Sequence, residues 1–483
     1  MRTIYALLAL GLVACGPEKD DTGDGPQADA DTDADADSDT DADGDTDVGP
    51  GDGCEEGSIP EAWPEVIDEV EVHLVWGGDN AALGDVNGDG YDDIALDDAL
   101  VLLGPLCPGL DPGDEGLIQA EVEVRSRFGY QHLNGAGDVD ADGLADILVG
   151  DDWADDFTGE VFLAVSPLEG EAYMPDVAVA DIVGETPYGY FGGAVAGVGD
   201  VDGDGVPDLL AGAKYEEGGG AAWLISGTTR GYHTVSDVGV AVRGSEDYPT
   251  VGYALAALGD TDGDGLDDFL VGTSSAIESP GVALVRGPLV TDLAFEEADA
   301  VFLPHPDADE FGDGFGASIS SVGNQDGDGL PDVAIGAPVA TVSVEDEGAI
   351  YIFAGSVSGK LDGSQARTVL TGELEHSYAG SSVDSAGDVN GDGQTDLAIG
   401  AEGWNPGGDS LGAVYLVFGP VIEGSLPLAD ADVVLVGTYQ GEYPDLGQVV
   451  LGAGDTNGDG LDDVLLTGWD RRAQFHSHLL LGR

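Results

Sequence analysis

Short apolar runs, each bounded by glycine, proline or aspartate, return in sets of four along residues 69–483. One run precedes an acidic loop, as in Tyr190-Phe191-Gly192-Gly193-Ala194-Val195-Ala196-Gly197-Val198-Gly199. A second follows the loop, as in Asp396-Leu397-Ala398-Ile399-Gly400-Ala401. A third reads Gly412-Ala413-Val414-Tyr415-Leu416-Val417-Phe418-Gly419, with counterparts at 348–355 and 219–227. A fourth reads Ala366-Arg367-Thr368-Val369-Leu370-Thr371-Gly372, with counterparts at 176–184 and 431–437. Runs this short and this rich in β-branched residues predict strands, and no later stretch sustains a long helical period. Four short strands per repeat predict an all-β chain folded as a β-propeller of four-stranded blades.

The acidic loops count the blades. A nine-residue word starts at Asp85, Asp138, Asp200, Asp260, Asn324, Asp388 and Asp455, a spacing of 53 to 67 residues. Seven copies predict seven blades. Each has Asp or Asn at positions 1 and 3, Asp at 5, Gly at 6 and Asp at 9. The first three copies place Asp85, Asn87, Asp89 and Asp93, then Asp138, Asp140, Asp142 and Asp146, then Asp200, Asp202, Asp204 and Asp208 at positions 1, 3, 5 and 9. The next two place Asp260, Asp262, Asp264 and Asp268, then Asn324, Asp326, Asp328 and Asp332. The last two place Asp388, Asn390, Asp392 and Asp396, then Asp455, Asn457, Asp459 and Asp463.

Calcium is a hard cation that takes six to eight oxygen ligands in flexible geometry. Side chains at 1, 3 and 5 can turn inward if the backbone curls, and the glycine at 6 permits the bend. Position 7 varies (Tyr91, Leu144, Val206, Leu266, Leu330, Gln394, Leu461), as expected of a residue that offers only its carbonyl. Asp at 9 closes the shell. The expected cofactor is therefore seven structural calcium ions. An EF-hand would need Glu at position 12 on a following helix. That position is Leu96, Val149, Ala211, Val271, Ile335, Ile399 and Leu466, all in strand-like runs. A simple hairpin turn needs one Asn-Gly or Asp-Gly pair, not four oxygen side chains at fixed offsets seven times.

Phe315-Gly316 before one loop and Ile335-Gly336-Ala337-Pro338 after it resemble the FG-GAP repeat of integrin α-subunit propellers. Phe191-Gly192 and Phe128-Gly129 match its first half, and Ile399-Gly400-Ala401 its second. In integrins only some blades carry the calcium loop. Its presence in every copy makes the chain more similar to bacterial FG-GAP proteins. The resemblance implies that loops joining second to third strands, and fourth to first strands, form the ligand face, opposite the calcium loops. Those loops hold Trp153, Tyr188, Tyr215, Tyr248, Trp404, Tyr439 and Tyr443 as candidate anchors. The last repeat runs out after 473–482, one strand short. Residues 69–76 have fourth-strand character, so they are expected to complete the seventh blade and close the ring.

Met1-Arg2, an apolar run from Ile4 to Val13 and then Ala14-Cys15 read as an export signal. Leu12-Val13-Ala14-Cys15 resembles the bacterial lipobox, which implies a lipid on Cys15. Residues 1–14 are then a signal peptide, 15–53 an Asp-rich tether too poor in apolar residues to fold, 54–68 a connector and 69–483 the propeller. Gly16 after the cysteine points, by the same analogy, to the outer membrane, on its periplasmic side or at the cell surface. Cys54 and Cys107 could pair as a disulfide in an exported chain.

Net charge is −83, with 13 Lys plus Arg in 483 residues. Nucleic acid is excluded as a partner, because its binding needs basic surface. The expected function is a monomeric, adhesion-like module that binds a protein or glycan. A structural scaffold is the alternative. A hydrolase is a weaker one, since the seven histidines are spread over different blades, with His476 and His478 merely alternating on one strand, and no nucleophile motif appears.

Overall fold

The computed structural model describes residues 72–74, 80–96, 100–106, 122–126, 131–168, 170–274, 280–308, 313–407, 411–437, 446–469 and 475–483. Phe128, Gly129, Cys15, Cys54, Cys107, Tyr439 and Tyr443 lie outside the described residues, as do the signal and tether segments.

The strands form seven sheets, so the chain is an all-β, seven-bladed propeller. Blade 3 shows the plan: Phe191–Gly199, Asp208–Ala213, Ala221–Ile225 and Gly239–Arg243 pair antiparallel in sequence order. Its second and third strands are buried throughout, because both faces of a blade are covered by neighbours. This is why those runs read as continuously apolar rather than alternating.

Each hydrophobic cluster draws on two neighbouring blades. Leu148 and Leu163 of blade 2 pack with Leu209 and Trp223 of blade 3. The seventh cluster joins Ile94 and Leu96 of blade 1 to Leu465 and Leu479 of blade 7. The core is thus a ring of interfaces, and no blade buries its faces alone. Close backbone approach shapes those interfaces: a Cβ on Gly400 would stand 2.0 Å from the Gly447 carbonyl oxygen of the next blade. Only glycine tolerates that distance.

The ring closes as the strand count predicts. Val72–Leu74 pairs antiparallel with Phe475–Leu480, in the register Val72 to Leu479, and forms the fourth strand of blade 7. The structure adds an element that the four-strand pattern omits. Gly170–Tyr173, Gly231–Thr234, Leu293–Ala294, Gly359–Asp362 and Gly424–Pro427 each leave the connection before their own blade's fourth strand. Each then pairs in parallel with the fourth strand of the preceding blade. Among the described residues, five blades therefore have five strands. These segments are too short and too polar to look like strands, and they pair only because the ring sets them beside an open edge.

Candidate functional site

The nine-residue loops join first to second strands, so all seven sit at one end of the ring. Position 9 opens the second strand, or in loop 5 directly precedes it, and is buried in every copy. One of its carboxylate oxygens accepts the backbone N–H of position 2, at 2.8–3.1 Å. The other accepts the N–H of a residue two beyond the third strand (Gly104, Ser166, Gly227, Gly287, Gly355, Gly419 or Gly482) at 2.8–3.3 Å. This aspartate therefore ties the loop to its own blade as well as facing the other acids.

Position 1 curls the loop. Asp260 accepts the N–H groups of Gly263 and Gly265 at 2.6 and 2.9 Å, and the other loops repeat parts of this pattern. Oxygens of positions 1, 3 and 9 converge within 4.8 Å in loops 2 (Asp138, Asp140, Asp146) and 3 (Asp200, Asp202, Asp208). Positions 1, 3 and 5 do so in loop 4 (Asp260, Asp262, Asp264). Such all-oxygen sets fit a hard divalent cation. Burial first, and neighbouring carboxylates second, push Asp93, Asp208 and Asp463 up to about 7, and Asp332 and Asp396 up to about 6. Asp146 and Asp268 move the same way. A cation among these groups favours their ionised form.

Neighbouring loops touch. The position 8 carboxylates of Asp267, Asp462 and Asp92 accept the position 1 N–H of Asp200, Asp388 and Asp455, at 2.9, 2.7 and 2.9 Å. Position 7 has a packing role that its variability hides. Tyr91 is buried and lies against Gly458 of loop 7, and Leu144 lies against Gly88 of loop 1. No local pattern exposes these contacts, because each partner belongs to another repeat.

The opposite end carries the loops between second and third strands and between fourth and first strands. There Trp153, Tyr188 and Tyr215 come together, joined by Phe157, Tyr190 and Tyr253, which the sequence did not single out. Ring centroids stand 5.4 Å apart for Trp153–Phe157, 5.8 Å for Phe157–Tyr188, 5.3 Å for Phe157–Tyr190 and 5.5 Å for Tyr190–Tyr215. Lys214 lies over Tyr190 and Tyr253, 5.5 and 5.9 Å from their centroids. It also stands 3.9 Å from the buried Asp152. Trp153, Tyr188, Tyr215 and Tyr253 are 43, 60, 56 and 44% exposed. Phe157, Tyr188 and Tyr190 hold positive φ of 61, 62 and 56°, a region costly for aromatic residues. The only advance signal for the added residues was their place in the same loops. Tyr248 and Trp404 behave otherwise: Tyr248 packs 4.9 Å from Phe295, and Trp404 packs against the core between blades 5 and 6.

The family-model and sequence comparisons agree with this architecture. Residues 191–225, 315–353 and 379–417, in blades 3, 5 and 6, match the FG-GAP repeat family model. The chain is 30% identical over 277 residues to integrin alpha-5 of Xenopus laevis, an alignment covering 53% of this chain and 25% of that one. It is 29% identical over 246 residues to integrin alpha pat-2 of Caenorhabditis elegans, covering 44% and 19%. The aligned part thus spans about a fifth to a quarter of those relatives' length. A solved structure of BBS1N in complex with ARL6DN superposes with a TM-score of 0.41 at 9% identity, covering 86% of this chain and 97% of that one. With three FG-GAP repeats, integrin α homologues and seven blades, the protein is an integrin-α-like FG-GAP propeller. No helix among the described residues is long and apolar enough to cross a membrane.

Proposed function

We propose that this chain is a calcium-braced binding module of the cell envelope, which captures an extracellular protein or glycan on the face opposite its acidic loops. The observation that carries this reading is the aromatic cluster of Trp153, Phe157, Tyr188, Tyr190 and Tyr215. Trp153, Tyr188 and Tyr215 present large rings to solvent there, and Tyr188 does so on strained backbone. Exposed, rigid aromatics are strong anchors for ligands. The relatives' names place them among integrin α chains, which supports a binding rather than a catalytic reading.

In this reading the oxygens of positions 1, 3, 5 and 9, with the carbonyl of position 7, hold one calcium in each loop. The ion supplies positive charge that neutralises clustered carboxylates. Residues 1–14 direct export from a bacterium, a lipid on Cys15 anchors the chain at the outer membrane, and residues 15–53 act as a tether. A link between Cys54 and Cys107 would pin the tether's end to blade 1.

The test is a glycan array and an affinity capture from extracellular material, each with calcium-loaded protein and with Trp153→Ala/Tyr188→Ala. A partner retained by the wild type and lost by the variant at an unchanged melting temperature supports the proposal. Equal retention by both, or none by either, favours a structural scaffold instead.

A further inference from the structure

The seven loops are not equivalent, and blade 4 carries the reason. Arg286 immediately follows the third strand of that blade, Val282–Val285. The place is defined in every blade by the next residue, whose N–H binds the position 9 aspartate. In the other six blades it holds Leu103, Val165, Ser226, Ala354, Phe418 and Leu481, none of them charged. Arg286 is largely buried. Its Nε donates to Thr261 Oγ1 at 3.0 Å, and Nη2 donates to the Gly355 and Val357 carbonyls of blade 5 at 2.8 and 3.0 Å. These bonds hold the guanidinium 3.7 Å from an Asp262 oxygen and 4.0 Å from an Asp268 oxygen, at positions 3 and 9 of loop 4.

Loops 2, 3 and 4 share one donor set, Asp at positions 1, 3, 5 and 9. In loops 2 and 3 the converging oxygens include position 9 (Asp146, Asp208). In loop 4 they do not include Asp268, the carboxylate that faces Arg286. Two features therefore single out the same loop: a guanidinium within 4.0 Å of two of its carboxylates, and a different set of oxygens brought together.

We propose that Arg286 makes loop 4 a weaker calcium site than loops 2 and 3, so its ion leaves before theirs as calcium falls. This rests on the calcium reading of the loops. A fixed guanidinium repels a divalent cation and already neutralises part of the carboxylate charge that would attract it. The same group braces blade 4 to blade 5, so the loop keeps its shape when the ion is gone.

Crystals of the full chain equilibrated at graded calcium give the occupancy of each loop, and dialysis followed by elemental analysis gives ions bound per chain. The expected result is half-filling of loop 4 at about tenfold or more higher calcium than loops 2 and 3. Arg286→Gln should erase that gap, whereas Arg286→Lys, which keeps the charge, should retain most of it. Should Arg286→Gln fail to fold, Arg286→Lys and the wild-type order of filling still decide the matter. Equal filling of loops 2, 3 and 4 in the wild type, or an unchanged gap in Arg286→Gln, overturns the proposal. Absence of calcium from all seven loops overturns the calcium reading itself.

Discussion

The Asp92 carboxylate accepts the backbone N–H of Asp455 at 2.9 Å, and the Asp92 N–H donates to the Asp455 carbonyl at 3.2 Å. The two residues are 363 positions apart, in the first and last acidic loops. This reciprocal pair joins blade 7 to blade 1 at the acidic end of the ring, as Val72–Leu74 joins them within a sheet. Asp92→Ala leaves the Asp455 N–H without its partner and should lower stability by about 1–2 kcal/mol. Urea unfolding at fixed calcium measures this, and an unchanged midpoint and slope would refute a role in closure.

Deletion of residues 69–76 should affect the whole ring, because removing the fourth strand of blade 7 exposes a sheet edge and opens the interface with blade 1. Calorimetry should show one transition at a lower temperature. Thermal unfolding identical to the intact chain would sink the closure argument.

Chelation is the broadest test of the loops. With free calcium about tenfold above each Kd, linkage gives about 1.4 kcal/mol per loop and about 10 kcal/mol for a full set. That is comparable to the whole stability of a typical domain. A large fall in melting temperature with EDTA, reversed by added calcium, is expected. Coincident melts with and without EDTA would contradict a bracing role.

The strained aromatics imply a trade between stability and binding. Phe157→Gly removes a side chain from a backbone at φ 61° and should relieve about 1 kcal/mol of strain while weakening capture of the ligand. The ring contacts Phe157 makes with Tyr188 and Tyr190 work against that gain, so Tyr188→Gly, at a more exposed ring, is the cleaner comparison. Loss of ligand retention without loss of stability is the expected pair of results. Retention undiminished in both variants would remove these rings from the binding face.

Asp384 offers a pH test away from the acidic loops. It lies on the inner strand Ala379–Gly387, accepts the Ser320 hydroxyl at 2.6 Å and the Gly452 N–H at 3.1 Å, and burial raises its pKa. A folded-state pKa above the unfolded one favours the neutral acid. Its stabilising contribution is therefore full below the unfolded pKa and is lost as pH rises through the folded value. Asp384→Asn should be more stable than the wild type at pH 7, with the difference vanishing near pH 3. Parallel stability curves across that range would show that burial does not govern this group.

Much of the architecture was legible in local pattern. A strand period short enough to exclude helices and seven copies of one loop were sufficient for an all-β ring of seven blades. A final repeat one strand short was sufficient to assign closure to residues 69–76, of which Val72–Leu74 pair with the last strand. The position 9 aspartates could be picked out by their fixed offset from the glycine bend, but their hydrogen bonds to the loop and to the end of the third strand could not. What remained hidden has one physical origin: contact between residues of different repeats. The parallel fifth strands, the Asp92–Asp455 bridge and the seat of Tyr91 on Gly458 exist only because closure lays one blade against the next. Phe157 and Tyr190 went unmarked until the fold set them beside Trp153 and Tyr188. Arg286 carries no mark in local pattern, and it is three tertiary hydrogen bonds that aim it at loop 4. Periodicity records what each residue does within its own repeat, whereas interfaces and sites are made from pairs that share no local spacing.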